Sequence, residues 1–390
     1  MKLQAEGGTS RVSLFEMLES RLKEDFTYES GRIIGSMCTR SHSLGREVFT
    51  KFVDKNIGDS GLFPAVVDME KETIKMLGNL LSNTRAQGSI VTGGTEANIL
   101  ALWTARKLSK RNKGEVVVPK SAHCSFDKAA DLLGLRLVKV RLNEKFQAEV
   151  EAVKDAITPH TIAIVGMAGT TALGVVDPLL DMSEIALKNN LYLHVDAAFG
   201  GFVLPFMKQL NFKVPDFDFA LPGVCSMTID PHKMGLAPIP SGGILFRDGG
   251  LEKKVALDIP YLSGGVTEQT TLVGTRSGAS VIAVWSLLKY LGIEGYTRIV
   301  KRCMQLTWKL AEEIQKIKGL DTVIQPTMNI VGLKSQIFDI RRIAQELRLR
   351  KWAISLFPNH IRIVLMPHVQ EQHIESFLED LNVIAHKLRR

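Results

Sequence analysis

The chain has 390 residues, more than one small hydrophobic core needs, which favours a large domain with a smaller one beside it. Its 49 lysines and arginines exceed its 41 aspartates and glutamates, but they are scattered, so the net charge of +8 favours anionic small ligands over nucleic acid. The four cysteines form no CxxC pair, which argues against a metal site and indicates reduced thiols.

The two tight basic clusters, residues 107–113 and 387–390, lack the interleaved aromatic residues of a surface that binds single strands. No apolar run approaches the length of a membrane span, and residues 1–6 lack the apolar core of a signal peptide. We therefore expect a cytoplasmic protein that binds neither nucleic acid nor a membrane.

The predicted elements begin with helices. Apolar residues over 11–25 recur at helical spacing, residues 29–43 have the glycine and hydroxyl content of a loop, and further helices are predicted at 47–55 and 67–81. We expect residues 1–57 to form an N-terminal helical segment.

Short apolar runs then alternate with helical stretches as far as residue 246. The strands are predicted at 89–92, 115–119, 136–140, 162–166, 192–195, 227–229 and 243–246, and the helices at 95–110, 126–133, 150–157 and 182–189. This alternation predicts an α/β domain over residues 58–292, with a mainly parallel sheet and helices on both faces. Ligands in such sheets bind at the carboxyl ends of the strands.

The C-terminal part has a different pattern. A long helical stretch over 277–318 is broken near residues 292–295. It is followed by strands at 322–324, 329–333, 353–357 and 361–365, and by helices at 339–349 and 371–388. We expect residues 293–390 to form a smaller α+β domain.

A glycine turn follows the first predicted strand, where Gly93, Gly94 and Thr95 open a helix. Glycines let the backbone approach an anion, and the free N–H groups at a helix start bind it, so this turn is a candidate phosphate site. The same turn is equally compatible with a plain connection.

Polar side chains also follow the next strands of the predicted sheet. His123 can stack on a flat ring, although a single histidine is more often structural. Thr171, in the Gly-Thr-Thr stretch after strand 162–166, offers a hydroxyl to a ring oxygen or to a carboxylate.

Asp196 ends the predicted strand 192–195. A carboxylate beneath a pyridine nitrogen keeps that nitrogen protonated, and the protonated ring is an electron sink. Ala198 would share the face of Asp196 if the strand continued, and its small side chain would leave room for the ring. The alternative for Asp196 is the N-cap of a helix.

Lys233 follows Asp230, Pro231 and His232 at the end of the predicted strand 227–229. A lysine delivered at a strand end is a candidate for Schiff-base chemistry, whereas a single lysine is more often a solvated loop residue. Together, at the strand ends of one domain, these motifs supply the parts that pyridoxal 5'-phosphate requires.

The motifs His-Val-Asp-Ala-Ala at 194–198 and Asp-Pro-His-Lys-Met at 230–234 resemble those of the group II pyridoxal-phosphate-dependent amino-acid decarboxylases, closest to the archaeal L-tyrosine/L-aspartate decarboxylases. The resemblance extends from about residue 31 to the C-terminal helix. It implies the aspartate-aminotransferase fold, fold type I, in a homodimer whose active sites are shared between subunits.

The resemblance also implies a role for each motif residue. Lys233 would carry the cofactor, Asp196 would pair with the pyridine nitrogen and His123 would stack on the ring. The phosphate would be held by Gly94, Thr95, His232 and, from the partner subunit, Thr275, with Thr171 on the side of the ring oxygen.

The proton donor and the substrate are less well marked. The animal enzymes carry a long loop with a catalytic tyrosine that has no match here, and Tyr261 is proposed instead because its surroundings resemble a Tyr-Leu-Gly-Gly stretch of glutamate decarboxylases. Ser36 matches a hydroxyl that contacts the distal carboxylate in those enzymes, and Arg40 and Arg362 complete the candidate substrate residues. We favour L-aspartate, converted to β-alanine for coenzyme A, and retain L-tyrosine, converted to tyramine for methanofuran.

Two alternatives stay open at this point. One is a carbon–carbon lyase similar to the sphingosine-phosphate lyases, whose motifs are close but which usually carry an N-terminal membrane anchor. The other is a catalytically silent binding protein, against which the presence of Lys233, Asp196 and His123 argues.

Overall fold

The computed structural model describes residues 8–110 and 113–389. The N-terminal hexapeptide considered for a signal sequence, residues 111 and 112 of the first basic cluster and residue 390 of the second lie outside the described residues. The helices are α1 (Arg11–Leu22), α2 (Ser43–Lys51), α3 (Pro64–Leu80), α4 (Gly94–Ser109), α5 (Ser125–Leu133), α6 (Val150–Asp155), α7 (Leu179–Lys188), α8 (Leu204–Gln209), α9 (Gly249–Glu252), α10 (Gly278–Lys316), α11 (Ile340–Leu349) and α12 (Glu371–Lys387).

The strands form three sheets. They are β1 (Gln87–Val91), β2 (Glu115–Pro119), β3 (Arg136–Val140), β4 (Thr161–Met167), β5 (Tyr192–Asp196), β6 (Val224–Ile229), β7 (Gly242–Phe246), β8 (Leu257–Leu262), β9 (Gly265–Gln269), β10 (Leu320–Thr322), β11 (Ile330–Ser335), β12 (Ser355–Phe357) and β13 (His360–Val364).

The central sheet has seven strands in the order β1-β7-β6-β5-β4-β2-β3. Strands β2 to β6 pair in parallel, and β2, β4 and β5 are buried along their whole length, as expected for a sheet covered on both faces. The predicted mainly parallel sheet is therefore confirmed. Strand β7 runs antiparallel to β6, because the short connection over residues 230–241 contains no crossover helix. Strand β1 pairs antiparallel with β7 and therefore points in the same direction as β2 to β6.

The C-terminal part contains a four-stranded antiparallel sheet in the order β10-β11-β13-β12. Its core includes Ile361, Ile363 and Phe377, while the backbone at Ile33 pairs with Ala353 at its edge. Helix α10 is interrupted at Gly292, where φ is 55°, within the predicted break. Beyond the interruption it packs first on the core of the large sheet and then, from Leu310 onward, on the core of the small one.

Two elements carry apolar side chains that no other described residue buries. None of the residues of α1 is buried, so the apolar residues that the spacing assigned to a common face are exposed. Strands β8 and β9 form an unpredicted hairpin, and Tyr261 at its end is 82% exposed. In the described part of the chain, no helix combines the length and the apolar character needed to cross a bilayer.

Candidate active site

A cavity of about 340 Å³ lies where β4, β5 and β6 end and where α4 begins. It is lined by all of the predicted cofactor-binding residues except Thr275, namely Gly94, Thr95, His123, Thr171, Asp196, Ala198, His232 and Lys233. Because the carboxyl ends of parallel strands share one edge of the sheet, residues up to 139 positions apart in sequence meet there (233 − 94). A larger cavity of about 630 Å³, against Glu70 and Arg276, contains none of these residues.

The amine of Lys233 forms an ion pair inside this cavity. Its Nζ lies 2.9 Å from Oδ2 of Asp230, a carboxylate whose side chain is only 2% exposed. Burial alone would lower the pKa of Lys233, but the negative charges of Asp230 and Asp196 outweigh it, so the pKa is raised. Lys233 is therefore a half-buried, paired lysine rather than a solvated loop residue.

The carboxylate of Asp196 is fixed by two donors. The backbone N–H of Ala198 donates to Oδ1 at 3.0 Å, and the side-chain amide of Asn98 donates to Oδ2 at 2.9 Å. The strand does not continue to Ala198: β5 ends at Asp196, because the carboxylate accepts the Ala198 N–H and turns the chain. Ala198 nevertheless lines the cavity, and Asp196 does not cap a helix.

The imidazole of His123 has a defined proton position. The backbone N–H of Ser125 donates to its Nδ1 at 3.2 Å, so in the neutral ring the proton resides on Nε2. Burial lowers the pKa of His123 and so favours this neutral form. A neutral imidazole in the wall of the cavity suits contact with the face of an aromatic ring.

The cavity fits a phosphate beside the start of α4. A Cβ added to Gly94 would lie 2.9 Å from Oδ2 of Asp230, and one added to Gly93 would lie 3.1 Å from the ring of His232, so side chains there would fill the space. The Ser241 N–H donates to Nδ1 of His232 at 3.2 Å, so the proton of the neutral ring is on Nε2, which lies 3.6 Å from Oδ2 of Asp230, beyond hydrogen-bond distance. These donors, with the N–H groups of the first turn, match an anionic oxygen cluster.

The structure keeps three predicted residues apart from the cavity. Tyr261 and Thr275 are exposed on the surface of the chain. Arg40 is half exposed and pairs with Glu29 at 2.8 Å, beside a separate cavity of about 390 Å³ that His42 also lines.

The remaining two candidates lie next to the cavity. The Oγ of Ser36 accepts the N–H of Cys38, and Met37 between them lines the cavity. Arg362 on β13 is 8% exposed and donates to the carbonyl oxygens of Thr171 at 2.8 Å and Gly35 at 2.5 Å. Burial lowers the pKa of Arg362 to about 10, and among the described residues neither a carboxylate nor any partner for its Nε is within bonding distance.

Sequence reasoning missed two residues, Asp230 and Asn98. Asp230 belongs to the same motif as Lys233 and lies three positions before it, and the acidic side chain beside a reactive lysine was an available signal. Asn98 lies one helical turn after Gly94, on the face of α4 toward the sheet. Three of its four partners, His194, Asp196 and Thr228, are 96 or more positions away in sequence.

The comparisons with known proteins agree along the chain. Residues 35–335 match the family model of the pyridoxal-dependent decarboxylase conserved domain. A Pyrococcus horikoshii protein named L-aspartate/L-glutamate decarboxylase is 50% identical over 377 residues, which are 97% of this chain and 98% of that protein. A Methanothermobacter thermautotrophicus protein named probable L-tyrosine/L-aspartate decarboxylase is 48% identical over 92% of this chain and 98% of its own length.

Solved structures confirm the predicted fold. The sphingosine-1-phosphate lyase of Burkholderia pseudomallei matches with a TM-score of 0.93 and 29% identity, covering 100% of this chain and 93% of that one. A Lactobacillus brevis glutamate decarboxylase matches with a TM-score of 0.89 and 20% identity over 100% of this chain and 95% of its own, and shows the fold alone.

Proposed function

The chain belongs to the pyridoxal-dependent decarboxylase family, and from that premise we propose that it removes the α-carboxylate of L-aspartate to give β-alanine. It is a carboxy-lyase that uses pyridoxal phosphate, so the alternative of a catalytically silent protein is set aside. The observation that supports an amino-acid substrate most directly is Arg362, a buried guanidinium beside the cavity with no carboxylate partner among the described residues.

The residues of the cavity divide the work of holding the cofactor. Lys233 supplies the amine that attaches it, Asp196 keeps the ring nitrogen protonated and His123 lies against the ring face. When bound, the cofactor would supply an electron sink for the electrons of the bond to the α-carboxylate, which breaks as CO2 leaves. Gly94, Thr95 and His232 bind the phosphate, Thr171 lies on the side of the ring oxygen and Ala198 leaves room for the ring.

Arg362 would orient the substrate. A carboxylate that enters a partly buried site needs a cation to offset the cost of its desolvation. Arg362 would be that cation, and its buried Nε–H has no hydrogen-bond partner among the described residues. Its bonds to Gly35 and Thr171 keep the guanidinium in place before the substrate arrives. Ser36 and Arg40 are the candidates for the distal group of the substrate.

Aspartate is favoured over tyrosine because it is common to the names of the relatives. The proteins from Pyrococcus horikoshii and Methanothermobacter thermautotrophicus share aspartate, while glutamate and tyrosine each occur in only one of the two. We place the reaction in the cytoplasm, in the supply of β-alanine for coenzyme A. Tyramine for methanofuran is the second candidate product.

A homodimer with shared active sites is part of the proposal. The hairpin β8–β9 exposes Tyr261 and Val266, and Thr275 follows it on the same exposed stretch. Residues that this family is expected to contribute to a neighbouring site are therefore on the surface and free to reach one. Light scattering of the active enzyme should give twice the mass of 43.1 kDa, and an active monomer would contradict the shared site.

Product identification tests the function. The purified, cofactor-loaded enzyme is offered L-aspartate, L-tyrosine and L-glutamate separately, and CO2 and the amine are both measured. We expect CO2 and β-alanine in equal amounts from aspartate, with Lys233→Ala as the inactive control. Tyramine as the only product would reverse the choice of substrate.

One observation keeps a second activity under test, since a sphingosine-1-phosphate lyase matches the whole chain at 29% identity. That reaction would cleave a carbon–carbon bond of a phosphorylated amino alcohol and release an aldehyde instead of CO2. Aldehyde release from such a compound, with no CO2 from any amino acid, would overturn the decarboxylase assignment.

A further inference from the structure

A buried polar network lies behind Asp196, on the side away from the cavity wall formed by Lys233. At its centre is Asn98 on α4, which is 1% exposed. Its Nδ2 donates to Oδ2 of Asp196 at 2.9 Å and to Oγ of Ser125 at 2.8 Å. Its Oδ1 lies 2.7 Å from the hydroxyl of Thr228 and 3.0 Å from Nε2 of His194.

The direction of every bond in this network follows from the carboxylate. An ionised carboxylate only accepts, so the NH2 group of Asn98 must face Asp196 and the oxygen must face His194. Nε2 of His194 therefore carries a proton and donates, and Nδ1 accepts from the hydroxyl of Ser226 at 2.8 Å. Burial lowers the pKa of His194 to about 3, so the ring remains neutral and keeps this tautomer at physiological pH.

We propose that Asn98 is the positioning residue for Asp196, and that His194 and Thr228 fix the amide of Asn98 in its donating orientation. If the amide turned over, its NH2 group would face the N–H of His194 and its oxygen would face the carboxylate, so both contacts would become repulsive. The network thus aims a chain of donors, from Ser226 through His194 and Asn98, at one oxygen of Asp196.

This arrangement has a chemical purpose if Asp196 faces the ring nitrogen, and the inference rests on that part of the proposed function. Donors to the charged form of a carboxylate keep it ionised despite burial. The N–H of Ala198 holds the other oxygen, so the carboxylate cannot rotate away from the ring. Asn98, which itself lines the cavity, would therefore act on the protonation of the cofactor through its hydrogen bond to Asp196.

The test uses 4-deoxypyridoxine 5'-phosphate, which lacks the aldehyde and so binds without reacting with Lys233. Its affinity for the cofactor-free enzyme is measured by calorimetry, and the 15N chemical shift of its labelled ring nitrogen reports whether that nitrogen is protonated. Asn98→Leu removes the donor, and Asn329→Leu is the matched control, because Asn329 is equally buried but donates to Leu365 outside the cavity.

We expect Asn98→Leu to weaken the affinity about tenfold or more, as for a lost hydrogen bond to a charged group, and to move the 15N shift toward the unprotonated value. Asn329→Leu should lower thermal stability and change neither readout. Equal behaviour of the two variants, or an unchanged 15N shift in Asn98→Leu, would overturn the inference.

Two further variants keep the outcome clear if Asn98→Leu folds poorly. Thr228→Val removes only a bond that orients the amide, so a loss of roughly threefold is expected, and Thr228→Ser should restore the affinity because it keeps the hydroxyl. Asp196→Asn distinguishes the role of Asp196 from that of Asn98. If Asp196→Asn leaves the affinity and the 15N shift unchanged, the proposed roles of Asp196 and Asn98 both fail. If Asp196→Asn changes them but Asn98→Leu and Thr228→Val leave them unchanged, only the role of Asn98 fails.

Discussion

The cavity at the strand ends and the hairpin β8–β9 differ in almost every physical respect. In the cavity, Asp196 and Lys233 are held by partners from the same chain. On the hairpin, Tyr261 is 82% exposed, and the contacts that fix the hairpin are bonds such as that of Ser263 with Asp59. The contrast indicates that the residues of the cavity are positioned by contacts within one chain, while Tyr261 and Thr275 are exposed, as the proposed shared site requires.

The largest effect is expected at Lys233, whose amine is paired with Asp230 in the cavity. Lys233→Ala removes the amine that attaches the cofactor, so turnover should fall on the order of 10⁴-fold or more. The fold should persist, because the Lys233 side chain is 19% exposed in the wall of the cavity and does not belong to the hydrophobic core. Circular dichroism with single-turnover kinetics would check both points. Appreciable turnover in this variant would break the assignment of the cavity.

Asp196→Asn tests the same region with a smaller expected loss. The amide keeps the shape of the side chain but loses the charge opposite the ring nitrogen, so kcat should drop by roughly 10²–10³-fold, the scale of one preorganised electrostatic contact. A loss of less than about threefold, or roughly 0.7 kcal/mol, would show that the charge is not used. The Ala198 N–H can still donate to the remaining oxygen, while the new NH2 group faces the NH2 group of Asn98 and the bond between these two side chains is lost.

Tyr261→Phe tests the proposed role of the hairpin β8–β9. If its hydroxyl donates a proton in the partner's site, kcat should fall by about 10²-fold, the lower end of general acid catalysis. Mixed with Lys233→Ala subunits, the variant should regain up to about a quarter of wild-type activity, because half of the statistical dimers contain one intact site. No recovery in the mixture would place Tyr261 outside the neighbouring site.

Arg362→Lys should cost about tenfold or more in kcat/KM for aspartate and for tyrosine, since both substrates carry an α-carboxylate.

The smallest effects are expected at Arg40, and they test the choice of substrate. Arg40→Ala should lower kcat/KM a few-fold for aspartate only, because Arg40 is half exposed and paired with Glu29. Aspartate turnover that ignores Arg40→Ala would remove Arg40 from the substrate site.

The sequence was sufficient for those parts of the fold that depend on local pattern. Strands β2 and β3 occupy the predicted residues 115–119 and 136–140, because each is a short apolar run between breakers. The residues of the cavity were also predictable, since each follows such a strand directly. The hairpin β8–β9 was missed because its strands are exposed and mixed in polarity, so neither period stands out.

Features that depend on contacts between residues far apart in sequence could not be predicted. The place of β1 at the edge of the sheet follows from its antiparallel pairing with β7, more than 150 positions later in the chain (242 − 91 = 151). The contact between Asn98 and Asp196 spans 98 positions and has no local signature. The ion pair between Lys233 and Asp230 is local, but only the three-dimensional turn after β6 shows that it is buried.

The hydrogen bonds of Arg362 to Gly35 and Thr171 have a consequence for how the molecule unfolds. This one side chain, on the small sheet, joins the segment before α2 through Gly35 and the large domain through Thr171. Because breaking either junction strands a buried charge, we expect the two cores to melt in a single cooperative step rather than one after the other. A carboxylate ligand that neutralises Arg362 would then raise that single melting temperature. Bound substrate would therefore stabilise the contact between the two domains.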